Sequence, residues 1–127
     1  MKWLVVMAAL LPNLSAASST ECLMMIIHSE SRGESLESLA ITARAAVNRA
    51  GSKSICALIN KKEVHASRSI PAELRPYFKA IAATALNEKS DIAHGADSWN
   101  TGNKPAYQGK IRRKAGKQIF YTMAKAM

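Results

Sequence analysis

The chain has 127 residues, 18 Lys and Arg against 9 Asp and Glu, and a formal net charge of +9. A chain of this length buries one modest core, which excludes a large multidomain machine. Past the first residues no apolar run is long enough to cross a bilayer, and the basic excess favours an anionic partner over a cationic one.

At the N-terminus, Lys2 is followed by the apolar run Trp3 to Leu11 and then by Pro12-Asn13-Leu14-Ser15-Ala16-Ala17. A positive start, a short apolar stretch and small residues read as a secretory signal peptide over 1–17, cut after Ala17. Export to the periplasm or cell exterior follows as an expectation, and with it no nucleic-acid partner. The remaining 18–127 segment, about 110 residues, is expected to form one domain. Export also means an oxidising compartment, where Cys22 and Cys56 can pair. Such a bond closes a loop of about 34 residues and is worth roughly 3 kcal/mol in the loop-entropy model. Two buried thiols behaving as small hydrophobes are the alternative.

The first mature helix is expected over Ser19 to Ser31. Leu23, Ile26, Ile27 and Glu30 fall at i, i+3, i+4 and i+7, the spacing of a core-facing stripe. A carboxylate thus stands where an apolar residue belongs, in the last turn before the breaker Gly33. Burial and the helix dipole both favour its protonated form, which suits a general acid. An exposed residue at a helix end is the plainer alternative. Glu34, four residues on, reads as a structural residue or one that shapes the site.

A second helix spans Leu36 to Arg49, capped by Ser35 and stopped at Gly51-Ser52, with Leu36, Leu39, Ala40, Ala43 and Val47 inward. A short helix is expected over Ser54 to Ile59, then an irregular polar stretch over Lys61 to Ile70 and a turn from Pro71 to Arg75. The helix from Pro76 to Asn87 turns Phe78, Ile81, Ala82, Ala85 and Leu86 inward. From Ser90 to Gly109 the chain is rich in Gly, Asn, Asp and Ser, which gives a long loop or a small irregular hairpin. A last helix is expected over Gly116 to Ala126, with Ile119, Phe120 and Met123 as its core face. The alternating β-branched runs of a β protein are missing, so the fold class reads as mainly α.

Chemistry-bearing residues are few. His28, His65 and His94 lack ligand spacing, so no metal is expected, and no phosphate-binding loop or nucleophile elbow calls for a cofactor. Both cysteines sit in apolar helical contexts, which argues against a thiolate nucleophile. Trp99 and Tyr107 lie in the loop beside Asn100, Asn103 and Gln108, a composition suited to stacking on sugars. Trp99 pinning the loop to the core is the alternative. Tyr121 could aim its hydroxyl into a cleft. Lys104, Lys110, Arg112, Arg113, Lys114 and Lys117 form a basic cluster with no acid from Ser98 onward. It suits anionic envelope polymers or a membrane surface, or is a solvated face.

The run from Ile26 to Glu37, with His28-Ser29-Glu30-Ser31-Arg32-Gly33-Glu34 at its centre, followed by Ala40 and Ala45-Ala46-Val47-Asn48-Arg49, resembles the spore-cortex-lytic and cell-wall hydrolase family of the SleB/CwlJ type. That family has a Glu-Ala-Arg-Gly-Glu block and an alanine-rich helix ending in Asn-Arg. Ser54-Ile55-Cys56, Ala85-Leu86-Asn87 with Asp91 and Gly95-Ala96, and Gly116 with Phe120-Tyr121 are similar to its later segments, in order. Gln118 stands where the family has His, and Trp99 is slightly displaced from its aromatic. The resemblance implies a small lysozyme-like domain that cleaves peptidoglycan glycan strands, with Glu30 as catalytic acid. It implies supporting roles for Arg32, Glu34, Asn48 and Arg49, glycan contacts from Trp99, Tyr107 and Tyr121, and lytic transglycosylase chemistry. Three rivals stand beside it, one of them a cationic membrane-active protein whose action would be lost at high salt. A hydrolytic muramidase needs a second carboxylate, for which Glu34, Asp91 and Asp97 are candidates. A non-catalytic basic module would bind peptidoglycan or envelope and release nothing.

Overall fold

The computed structural model describes residues 19–30 and 34–123. The expected signal peptide over 1–17 and the candidate Arg32 lie outside the described residues.

The first helix, α1, runs over 19–29. Cys22, Leu23, Met24, Ile26 and Ile27 on it are all buried, so it is a core helix with more than a single apolar stripe. Glu30 follows it in a turn, its N–H donating to the Ile27 carbonyl at 3.1 Å, and is only part-buried. The carboxylate therefore stands just past the stripe and not within it.

Helix α2 spans Leu36–Ala50, with the Ser35 hydroxyl accepting from the Ser38 N–H and Gly51 at φ +57 ending it. It is the central element. Leu39, Ala43, Ala46 and Ala50 pack with α1 in one apolar cluster. Ile41 and Ala45, on its other side, join Ala93, Ala96, Ala115 and Phe120 in a second. Leu36, expected inward, is 56% exposed, because the helix turns its Ser38–Thr42 line to the core instead. The short helix α3 (Ile55–Asn60) is capped by Ser54. Its Cys56 is bonded to Cys22 of α1, with Cα atoms 5.3 Å apart. A 3-10 turn (Ala72–Leu74) leads into helix α4 (Arg75–Asn87), whose Phe78, Ala82 and Ala85 are buried. No helix of the described residues is long and apolar enough to cross a membrane.

The mainly α expectation holds only in part, because the C-terminal third is a sheet. Strands β1 (Ser98–Thr101), β2 (Gly109–Ala115) and β3 (Gln118–Met123) form an antiparallel sheet in the order β1-β3-β2. The helix expected over Gly116 to Ala126 is thus a strand as far as Met123, and its remaining residues lie outside those described. Ala115 pairs with Gln118, which leaves Gly116-Lys117 as a two-residue hairpin turn. Gly116 has φ +57, the left-handed first position that such a turn requires and glycine provides. β3 is the middle strand, paired on both edges, and its Gln118, Ile119, Phe120 and Tyr121 are all buried in succession. The register shifts between Ile111 and Arg113, a bulge at Arg112 in the edge strand.

Candidate active site

A cleft of about 610 Å³ opens where the end of α1, the end of α2, the 61–70 segment and the sheet meet, and Glu30, Arg49, Trp99, Tyr107 and Tyr121 all line it. Five residues picked from sequence, from four separate segments, therefore converge on one concavity of the size that small ligands occupy.

Glu30 enters at the end of α1. Its Oε2 accepts from Gln118 Nε2 at 3.4 Å. Arg49, in the last turn of α2, joins the cleft walls. Its Nη1 donates to the Asp97 carbonyl at 3.3 Å and to Ser98 Oγ at 3.1 Å, at the start of β1. Its Nη2 lies 3.4 Å from Glu63 Oε1 on the opposite segment. That segment is tied back to α1 by the Ser67 N–H, which donates to the Met25 carbonyl at 2.9 Å. Lys62, Glu63 and His65 from it also line the cleft. Sequence reasoning missed all three, since the segment shows no periodicity. Lys62 has φ +58, a strained conformation for a side chain of its size.

The aromatic residues divide by support. Trp99 is part-buried and packs against both apolar clusters, so it pins the sheet to the core and also faces the cleft. Tyr121 is 2% exposed on β3. Tyr107 is 68% exposed, on the loop after β1. Asn100 braces that loop, its Nδ2 donating to the Thr101 and Lys104 carbonyls and its Oδ1 accepting from the Ala106 N–H at 2.8 Å. This amide is therefore committed to the chain's own backbone rather than left for ligand hydroxyls.

Other candidates stand elsewhere. Asn48 Nδ2 donates to Asp91 Oδ2 at 3.0 Å and to the Ala96 carbonyl at 2.9 Å. Asp91 in turn accepts from the Ala93 and Gly95 N–H groups, each at 2.9 Å. Both residues brace the 91–96 loop. Asp97 Oδ1 accepts from the Met123 N–H at 3.1 Å, inside the sheet. Glu34 lies against the hairpin turn, where a Cβ on Gly116 would come within 3.2 Å of its Oε2. The second carboxylate of the cleft is instead Glu63.

The basic cluster is also divided. Arg113 donates to Glu37 Oε1 at 2.9 Å and to the Ile92 carbonyl, and Arg112 donates to Thr122 Oγ1 at 2.9 Å. Lys104, Lys110, Lys114 and Lys117 are exposed. Among the described residues no group of three or more His, Cys, Asp or Glu side chains is placed to hold a metal ion.

The arrangement offers a carboxyl group with a fixed amide donor, a second carboxylate paired with arginine, and aromatic walls. It can exchange a proton with a bound polar substrate and stack against its flat faces. Comparisons with protein-family models, with curated proteins and with solved structures return no match to this chain.

Proposed function

We propose that the protein is an exported, lysozyme-like enzyme that cleaves the β-1,4 bond between N-acetylmuramic acid and N-acetylglucosamine in peptidoglycan. The observation that carries this reading is the convergence of Glu30 with Trp99, Tyr107 and Tyr121 in one cleft. The resemblance of the Glu30–Arg49 region to cell-wall hydrolases supports it. Glu30 protonates the glycosidic oxygen as the C1–O bond breaks. It then takes the proton of the sugar's own C6 hydroxyl while that oxygen bonds to C1, giving a 1,6-anhydro end. One carboxyl group returns to its starting state, and water takes no part. The exposed lysines of the sheet edge hold the enzyme on the anionic wall.

Glu63 favours a second reading, hydrolysis. It supplies a second carboxylate in the cleft, with its Oε1 3.4 Å from Arg49 Nη2, where it could direct a water. One digestion separates the readings. Purified peptidoglycan is treated with wild type, Glu30→Gln and Glu63→Gln, and fragment masses are read. Transglycosylation predicts anhydro ends from wild type, none from Glu30→Gln, and continued release by Glu63→Gln. Hydrolysis predicts reducing ends that disappear with either substitution. Equal release by wild type and Glu30→Gln removes Glu30 from the chemistry. Binding without release from any of them leaves a wall-binding module.

A further inference from the structure

Among the described residues the buried polar side chains are Ser38, Thr42, Ser98 and Gln118, and three of the four form one connected chain. Ser38 Oγ donates to Gln118 Oε1 at 2.7 Å. Thr42 Oγ1 shares its single proton between the Ser38 carbonyl at 2.9 Å and Gln118 Oε1 at 3.2 Å. The amide oxygen is thereby occupied, and the amide NH2 is turned to Glu30, which it reaches at 3.4 Å. The chain joins α2 to β3 and ends on the cleft carboxyl.

Burying polar groups in a core costs free energy unless each finds a partner. Apolar residues of the same shape at 38, 42 and 118 would fill this space about as well. The one partner they could not serve is Glu30. An amide held at its oxygen by two hydroxyls can present only N–H to that carboxyl, and from a fixed point.

We propose that Gln118 is a positioning residue, which holds the Glu30 carboxyl in one orientation toward the cleft, with Ser38 and Thr42 fixing the orientation of Gln118. The proposal rests on Glu30 being the proton carrier for its catalytic consequence, and on the hydrogen bonds alone for its structural one. A carboxyl that must first protonate one oxygen and then deprotonate another needs a fixed position through both steps.

The test compares wild type, Gln118→Met and Gln118→His. Methionine keeps the length and loses all three hydrogen bonds, to Ser38, Thr42 and Glu30. Neutral imidazole keeps one donor and one acceptor. The side-chain rotamer of Glu30 is read by NMR three-bond couplings, and kcat and KM are read on purified peptidoglycan. One rotamer is expected in wild type and Gln118→His, and averaging in Gln118→Met, with kcat about 10–100-fold lower and KM within about twofold. Averaging already present in wild type, or a fixed Glu30 in Gln118→Met, overturns the proposal. Should Gln118→Met fail to fold, Ser38→Ala combined with Thr42→Val removes both hydroxyls and frees the amide to turn over, and a Glu30 rotamer unchanged by the pair has the same force. If wild type releases no fragments while the couplings behave as expected, the positioning role stands and the enzymatic reading falls.

Discussion

Gly109 has no side chain because Tyr121 occupies the space one would need. A Cβ there would lie 2.6 Å from Tyr121 Cδ2 and 2.5 Å from the Thr122 carbonyl oxygen. The ring of Tyr121 thus leans across the start of β2, which fills the gap a strand glycine leaves. Gly109→Ala is expected to push β2 from β3 and cost roughly 1–3 kcal/mol, the usual range for overpacking. Urea denaturation measures it, and an unmoved midpoint would show that the strand has room to slide. Some cleft residues were legible in the sequence: Glu30 through a spacing that looked like an apolar stripe, although it stands in the turn just past α1, Trp99 through its Gly- and Asn-rich surroundings and Tyr121 through its hydroxyl. Glu63 and Gln118 were not. Each is an ordinary polar residue until a partner far along the chain, Arg49 or Glu30, gives it a direction.

The helices announced themselves at their ends. Ser35 and Gly51 bracket α2 with a hydroxyl cap and a left-handed stop, and both are local signals that need no tertiary context. Removing the cap in Ser35→Ala is expected to cost about 1 kcal/mol, read as a shift in the unfolding midpoint with the slope unchanged. β3 is the opposite case. Ile119, Phe120 and Met123 suit one face of a helix, and the run is too short for its period to decide. Two signals favoured the strand: the aromatic and β-branched content of Ile119 to Thr122, and a glycine placed for a tight turn. The succession of buried residues hid the alternation, since both faces of this stretch are covered. β2, at the edge, shows the reverse pattern. Its lysines, arginines and bulge discourage pairing with another chain.

Across the whole molecule, α2 is the shared wall of two apolar clusters, and the cleft lies where elements from both sides meet. The Cys22–Cys56 bond fastens α1, which carries Glu30 at its end, to α3. Replacing both cysteines by serine is expected to lower stability by roughly 3–4 kcal/mol, as the loop-entropy model gives for a sequence separation of 34. Guanidinium unfolding of the wild type with and without reductant should show the same gap, and coincident curves would mean the bond adds nothing. Strand order carries a further consequence for how the chain is made. β3 lies between β1 and β2 but is the last of the three to leave the ribosome. Until it arrives, the two earlier strands have no neighbour to bond, Phe120 is missing from its cluster, Gln118 has not reached Glu30 and Tyr121 has not reached the cleft. Assembly of the sheet is thereby postponed until β3 is made. The larger apolar cluster, whose buried members run from Cys22 to Ala85, can pack before β3 exists, whereas the cleft is complete only once β3 has joined the sheet.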